Sequence, residues 1–172
     1  MSPTRDDIDV RIREARPADA EPIADVHVAA IREQGSEAYD ERQVEAWLAN
    51  VHPERYPLGE PDFHVVVAER ADDVVGFGLL ERDPSDVDEP AVGKIGAVYV
   101  RPDHVREGVG GAILDALESA ARDSDLETIV LTASKNAIDF YRRRGYEGVE
   151  TVVLEMRADV PLESLRMRRE LA

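Results

Sequence analysis

The stretch Lys94–Arg122, KIGAVYVRPDHVREGVGGAILDALESAAR, decides the fold. It opens as an apolar, β-branched run, breaks at Pro102 and crosses a glycine-rich turn at Gly108, Gly110 and Gly111. Val109, Ile113, Leu117 and Ala120 then recur at helical spacing. The pattern predicts strand, loop, helix. A glycine-rich loop that opens a helix presents unpaired backbone N–H groups beside the positive end of the helix dipole, which suits an anion such as phosphate. The same glycines also permit a tight turn and close helix–strand packing.

Spacing narrows the phosphate ligand. A dinucleotide fingerprint needs a third glycine where Ile113 stands, and a P-loop needs a lysine that is absent between Lys94 and Lys135. Neither a Rossmann site nor nucleoside triphosphate hydrolysis is supported.

Outward from this stretch the chain alternates between two periods. Ile8, Val10 and Ile12 alternate with polar residues as a half-buried strand. From Asp19, Ile23, Val26, Ala30 and Ile31 predict a helix that holds Pro22 in its first turn and ends at Gly35. Asp40 with Gln43 reads as a capping-box variant, followed by Val44, Trp47, Leu48 and Val51 on one face. His52–Pro61 is a proline-rich loop; Phe63–Glu69 and Val74–Glu81 form a hairpin turning around Ala71, Asp72 and Asp73. Asp83–Pro90 is an acidic loop. After the central unit come a strand at Thr128–Ala133, a helix at Asn136–Arg144 stopped by Gly145, and strands at Val149–Met156 and Leu165–Leu171 separated by a turn containing Pro161. The order β-α-α-β-β-β-α-β-α-β-β predicts an α/β fold with a mixed sheet and helices on both faces.

The 172 residues, 43% hydrophobic, suffice for one core and predict a single domain over 1–172. No apolar run approaches the roughly 18 residues of a membrane span, and the polar opening MSPTRDDIDV does not read as a signal peptide, so the expectation is a cytoplasmic protein without a membrane partner. With no cysteine, disulfides, thiolate catalysis and cysteine zinc sites are excluded. Four scattered histidines lack ligand spacing, so no metal is expected. A net charge of −16 argues against nucleic acid as partner. The composition, acidic and with Lys94 and Lys135 its two lysines, resembles cytosolic proteins of salt-loving archaea and suggests a halophilic protein.

Val98–Leu114, VYVRPDHVREGVGGAIL, resembles motif A of the GNAT superfamily of acyl-CoA-dependent N-acyltransferases, with signature Q/R-x-x-G-x-G/A. Gly108 and Gly110 take the glycine positions, while Val105 stands where the family usually has Gln or Arg. Asn136–Tyr146, NAIDFYRRRGY, resembles motif B, and Ile12–Ala20, IREARPADA, the family's first strand and helix start. Leu131–Tyr141 together with Tyr39, Gln43 and Trp47 is similar to a bacterial and archaeal small-molecule branch.

The resemblance implies a GNAT fold of about seven strands and four helices, and an N-acetyltransferase that passes an acetyl group from acetyl-CoA directly to a primary amine. It implies that the main chain of Val98, Tyr99 and Val100 pairs with the pantetheine arm, and that Val105, Arg106, Glu107, Gly108, Val109, Gly110 and Gly111 receive the pyrophosphate. Asn136 would bond the pantetheine amides or cap its helix, and Tyr141 would protonate the departing thiolate. Glu33, Tyr39 and Glu81 are candidates on the acceptor side, Glu33 and Glu81 as bases, with Tyr99 or His64 as relays through water. Tyr39 is expected to wall the acceptor site, Trp47 and His27 to be core, and Arg142–Arg144 either to complement a helix terminus or to meet the cofactor's 3′-phosphate. The acceptor is expected to be a small-molecule amine. A protein N-terminal or lysine acetyltransferase and a non-catalytic acyl-CoA sensor are the alternatives. The last two strands are a candidate homodimer surface.

Overall fold

The computed structural model describes residues 10–104, 108–156 and 160–171. Seven strands form one sheet in the order β1-β2-β3-β4-β5-β7-β6. β1 (Arg11–Glu14), β2 (Phe63–Arg70), β3 (Asp73–Glu81) and β4 (Val92–Val100) are successive antiparallel neighbours. β5 (Thr128–Ser134) lies parallel to β4, and β7 (Val160–Glu170) runs antiparallel between β5 and the edge strand β6 (Glu147–Met156). Four α-helices among the described residues, α1 (Ala20–Ala30), α2 (Glu41–Leu48), α3 (Val109–Asp123) and α4 (Ile138–Arg143), cover the two faces. The expected mixed α/β architecture is present.

Strand alternation explains which helix goes where. In β2, Val65 and Val67 point to one face and pack with Ile23 and Val26 of α1, whereas Val66 and Ala68 join Ile113, Leu114 and Leu117 of α3 on the other. β3 repeats the division, sending Phe77 toward α1. On the α3 face it offers Gly76 and Gly78, where an added Cβ would stand 2.8 and 2.5 Å from Ile113 side-chain atoms. These glycines let α3 lie close to the sheet. Arg13 of β1 donates to both carboxylate oxygens of Asp19 at 2.8 and 2.9 Å, tying the first strand to the start of α1.

Several boundaries differ from the sequence expectations, β6 for one starting at Glu147 and β7 at Val160. The first strand starts at Arg11, after Val10, and Ile8 lies outside the described residues. Pro161 sits inside β7 opposite Glu155 instead of in a turn. Its missing N–H is harmless there, because pairing of β7 with β5 begins only at Ser164. The last helix is shorter, since Lys135–Ala137 winds as a 3₁₀ turn before α4.

Candidate active site

The cleft begins where the sheet splits. β4 pairs with β5 only from Val92 to Ile95, against Thr128 to Leu131. A bulge follows, with Leu80 opposite Ile95 and Leu79 opposite Ala97, so Gly96 is the extra residue that turns β4 away. Beyond it Val98 and Val100 keep β3 partners, Gly78 and Gly76, on one side and face the opening on the other.

α3 begins beneath this opening. Gly108, its N-cap, adopts φ 84°, a left-handed conformation that suits glycine, and among the described residues it supplies no side chain to cap the helix. The N–H groups of the first turn are therefore left for a ligand. A cavity of about 630 Å³ lies there, lined by Gly108, Gly110 and Gly111, by Val98, Val100 and Phe140, and by Arg143 and Arg144. The Arg144 guanidinium lies over Gly111, where a Cβ would collide with it, and donates to Asp115 at 3.2 Å. A diphosphate fits this donor set of bare amides, helix dipole and two guanidiniums, and an apolar arm carrying amides fits the Val98–Val100 strand and Asn136.

A second cavity of about 360 Å³ opens on the α1 side. Trp47, Tyr99, Leu154, Met156, Leu162 and His27 line it, and it shares Gln34, Val98, Asn136, Ala137 and Tyr141 with the first. Tyr141 stands at the junction. It is buried against Phe140 and Tyr146 at ring-centroid distances of 5.1 and 5.6 Å, and this burial drives its phenol well above the ordinary range. It holds its proton throughout the neutral range. Tyr99 is raised in the same way, mainly by burial.

His27 is tucked between rings, 4.4 Å from Tyr99 and 5.5 Å from Phe77 by centroid, with Nδ1 hydrogen-bonded to the Tyr56 hydroxyl at 2.9 Å. Burial pushes its imidazole down to about 4 and the Tyr56 phenol up to about 12, so both are neutral at pH 7.

The structure places the sequence candidates unevenly. Val98, Asn136 and Tyr141 meet at the junction, Tyr99 lines the smaller cavity, and Val100, Gly108, Gly110, Gly111 and Glu33 line the larger one. Val109 is buried in the core beneath α3. Val105, Arg106 and Glu107 lie outside the described residues. Asn136 accepts from Ser134 Oγ at 3.0 Å and precedes α4 without capping it. Trp47 is buried in the core, as expected, and its ring also reaches the smaller cavity, whereas Tyr39 lines neither cavity. The Tyr39 hydroxyl donates to the Glu163 carbonyl at 2.6 Å and accepts from the Lys135 N–H at 3.0 Å, which fixes it in the framework, while Trp47 lines the smaller cavity. Glu81 pairs opposite Lys94 and His64 opposite Leu80, and neither lines either cavity.

Gln34 and His27 were not singled out by sequence as cavity residues. Gln34 reaches the junction because α1 continues as a π turn over Ile31–Gly35, a geometry frequent at functional sites that leaves no mark on a 3.6-residue pattern. For His27 the signal was its place beside an apolar face, which predicts burial and not exposure to a cleft.

The acetyltransferase (GNAT) family matches residues 27–146. A GCN5-related N-acetyltransferase from Rhodopseudomonas palustris superposes with a TM-score of 0.80 at 27% identity, over 93% of this chain and 94% of that one. The PaiA N-acetyltransferase from Thermoplasma acidophilum, solved in complex with coenzyme A, superposes with a TM-score of 0.74 at 16% identity, over 94% and 98% of the two chains, and so shares the fold. Mycothiol acetyltransferase of Rhodococcus jostii is 29% identical over 162 residues, 87% of this chain and 50% of that protein. The chain thus spans half the length of that curated relative. With the glycine-lipped helix, the split sheet and these likenesses together, the chain belongs to the acetyltransferase (GNAT) family.

Proposed function

We propose that the protein transfers an acetyl group from acetyl-CoA to a primary amine of a small molecule, with donor and acceptor bound at once. The observation that carries this reading is the junction: two cavities, each with its own lining, meet at Tyr141, Val98 and Asn136. A donor held in the larger one and an amine held in the smaller one would be presented to each other without passing through a covalent protein intermediate.

When bound, acetyl-CoA supplies the acyl carbon: a C–N bond to the amine forms as the C–S bond breaks, and the sulfur leaves as a thiolate that needs a proton. The chain's residues handle the rest. The α3 amides of Gly110 and Gly111, with Arg143 and Arg144, hold the phosphates, the guanidiniums being suited to the 3′-phosphate as well as the diphosphate. The free edge of β4 at Val98 orients the arm. Tyr141 keeps a proton at Oη and is placed to give it to the departing sulfur. The apolar walls of the smaller cavity destabilise an ammonium, favouring the neutral amine that a nucleophile must be. Glu33, which like Glu37 lines the larger cavity, is the candidate to collect the amine's proton through water across the junction.

A cavity of about 360 Å³ favours a small acceptor over an extended peptide. The cysteine-free composition suits a reducing, cytoplasmic setting, and the acidic surface a salt-rich one. Val149, Val153 and Leu154, the exposed large apolar side chains among the described residues, all lie on edge strand β6, which supports pairing of two copies there, to be checked by light scattering.

The test is thiol release from acetyl-CoA in the presence of amino acids, aminoglycosides, polyamines and basic peptides. Initial-rate lines that intersect as both substrates vary are expected. Parallel lines would reject direct transfer, and coenzyme A binding without transfer to any amine would mark a sensor instead.

A further inference from the structure

The smaller cavity carries information about what it accepts. More than one residue in five of this chain is Asp or Glu, yet none of the described residues lining this cavity is a carboxylate. Its wall is Trp47, Tyr99, Leu154, Met156 and Leu162, and its polar edge is neutral, with Gln34, Asn50, Ser134 and Ser164. Of the titratable groups that face it, His27, Tyr99 and Tyr141 are uncharged at neutral pH. One cation, Lys94, contributes to the lining, and its ammonium is bound to Asp86 at 2.8 Å.

Resting on the acetyltransferase reading, we propose that this chamber takes a primary amine borne on an apolar, aromatic-sized body with a single positive charge, and that it turns away polycations. The physical reason is desolvation. An apolar body gains by leaving water for aromatic and aliphatic walls, and a flat ring can stack against Trp47 or Tyr99. A polyamine brings further ammonium groups that must be stripped of water with no carboxylate to receive them, a cost that nothing in this lining offsets. An apolar chamber without negative charge therefore selects by rejection, on a protein whose outer surface would attract cations.

Trp47 provides a readout independent of chemistry, because it is the chain's one tryptophan and lies in the chamber wall. Its fluorescence is titrated with 2-phenylethylamine, spermidine and an alanine-initiated basic peptide, each with coenzyme A present. Half-saturation at least tenfold lower for phenylethylamine than for the other two is expected. Asn50→Asp places a carboxylate at the chamber's exposed edge with little change of shape and should narrow the phenylethylamine-to-spermidine ratio at least threefold. Equal or tighter binding of spermidine or the peptide, or a ratio unmoved by Asn50→Asp, overturns the assignment. Acetylation measured in parallel separates the two levels. Selective binding of phenylethylamine without turnover supports the chamber's preference and overturns the enzyme reading, whereas efficient turnover of spermidine overturns the preference and leaves the enzyme reading standing.

Discussion

At the scale of the residue, Tyr141 and His27 show how burial sets proton chemistry. Tyr141 has a phenol raised by desolvation, so it stays protonated through the neutral range, as the proposed donor to the departing sulfur must. Tyr141→Phe keeps the ring packing against Phe140 and Tyr146 and removes only the hydroxyl. Turnover at saturating substrates should fall about 100-fold, the scale of a lost general acid, with the acetyl-CoA dissociation constant changed little. Unchanged turnover would remove Tyr141 from the chemistry. His27 makes a prediction about stability. Its folded value near 4 lies below the ordinary 6.5, so between these pH values the unfolded chain binds the extra proton. The stabilisation is complete above pH 6.5 and is lost as pH falls toward 4. At about 1.4 kcal/mol per unit the loss approaches 3 kcal/mol, less whatever solvent screening takes from a half-buried ring. Melting temperatures from pH 7 to 4 should fall more steeply for the native protein than for His27→Gln; parallel curves would show that His27 does not titrate this way.

At the scale of the element, the sequence was legible where chemistry is local. The capping box before α2 is read from Asp40 and Gln43, and it forms as written: Gln43 N–H donates to Asp40 Oδ1 at 2.8 Å and Asp40 N–H donates to Gln43 Oε1 at 3.0 Å. The strand, glycine turn and helix of Lys94–Arg122 are likewise marked by residue types that few other structures tolerate. What was not legible depends on register. The hairpin between β2 and β3 is marked by the break at Ala71 and Asp72, but their positive φ of 50° and 70° is not, because no Asn-Gly pair announces it. The π turn that delivers Gln34 and the bulge that frees β4 are one-residue insertions, invisible to periodicity. Gly78 is the most exacting position of this kind. A Cβ there would meet Ile113 at 2.5 Å and Leu117 at 2.9 Å, so Gly78→Ala must push α3 off the sheet. Overpacking of this sort costs about 1–3 kcal/mol, measurable as a lower urea midpoint with an unchanged slope. Because α3 also carries the amides proposed to bind the phosphates, coenzyme A affinity should weaken in the same variant.

At the scale of the whole molecule, charge and fold speak to different questions. The net charge of −16 is self-repulsive, and salt shortens its reach to about 3 Å at 1 M. The melting temperature should therefore rise on going from dilute buffer to molar potassium chloride, and a flat or falling response would detach the composition from salt tolerance. Inside the molecule that charge is managed pair by pair. Buried Glu118 of α3 accepts from the Tyr146 hydroxyl at 2.9 Å and from Arg169 of β7 at 2.7 Å, linking the helix to the far side of the sheet. Neither the composition nor the motif could reveal this pairing, because its members are spread over the last third of the chain and meet only in the folded state.

The short ladder between β4 and β5 has a mechanical meaning. Among the described residues, a ladder of four residue pairs, Val92–Ile95 against Thr128–Leu131, with the Ala91 carbonyl accepting from the Glu127 and Thr128 N–H groups at its end, joins the β1–β4 half of the sheet to the β5–β7 half. A long ligand lying across the gap would act as a stitch between the halves, adding backbone bridges where the sheet itself has none. At 100 times its dissociation constant such a ligand stabilises by about 2.7 kcal/mol, or roughly 5–10 °C for a chain of this size. The added protection from hydrogen exchange should gather along Gly96–Val100 and Thr132–Ser134, on the two lips of the seam, so that the protein is stiffest when its cleft is full.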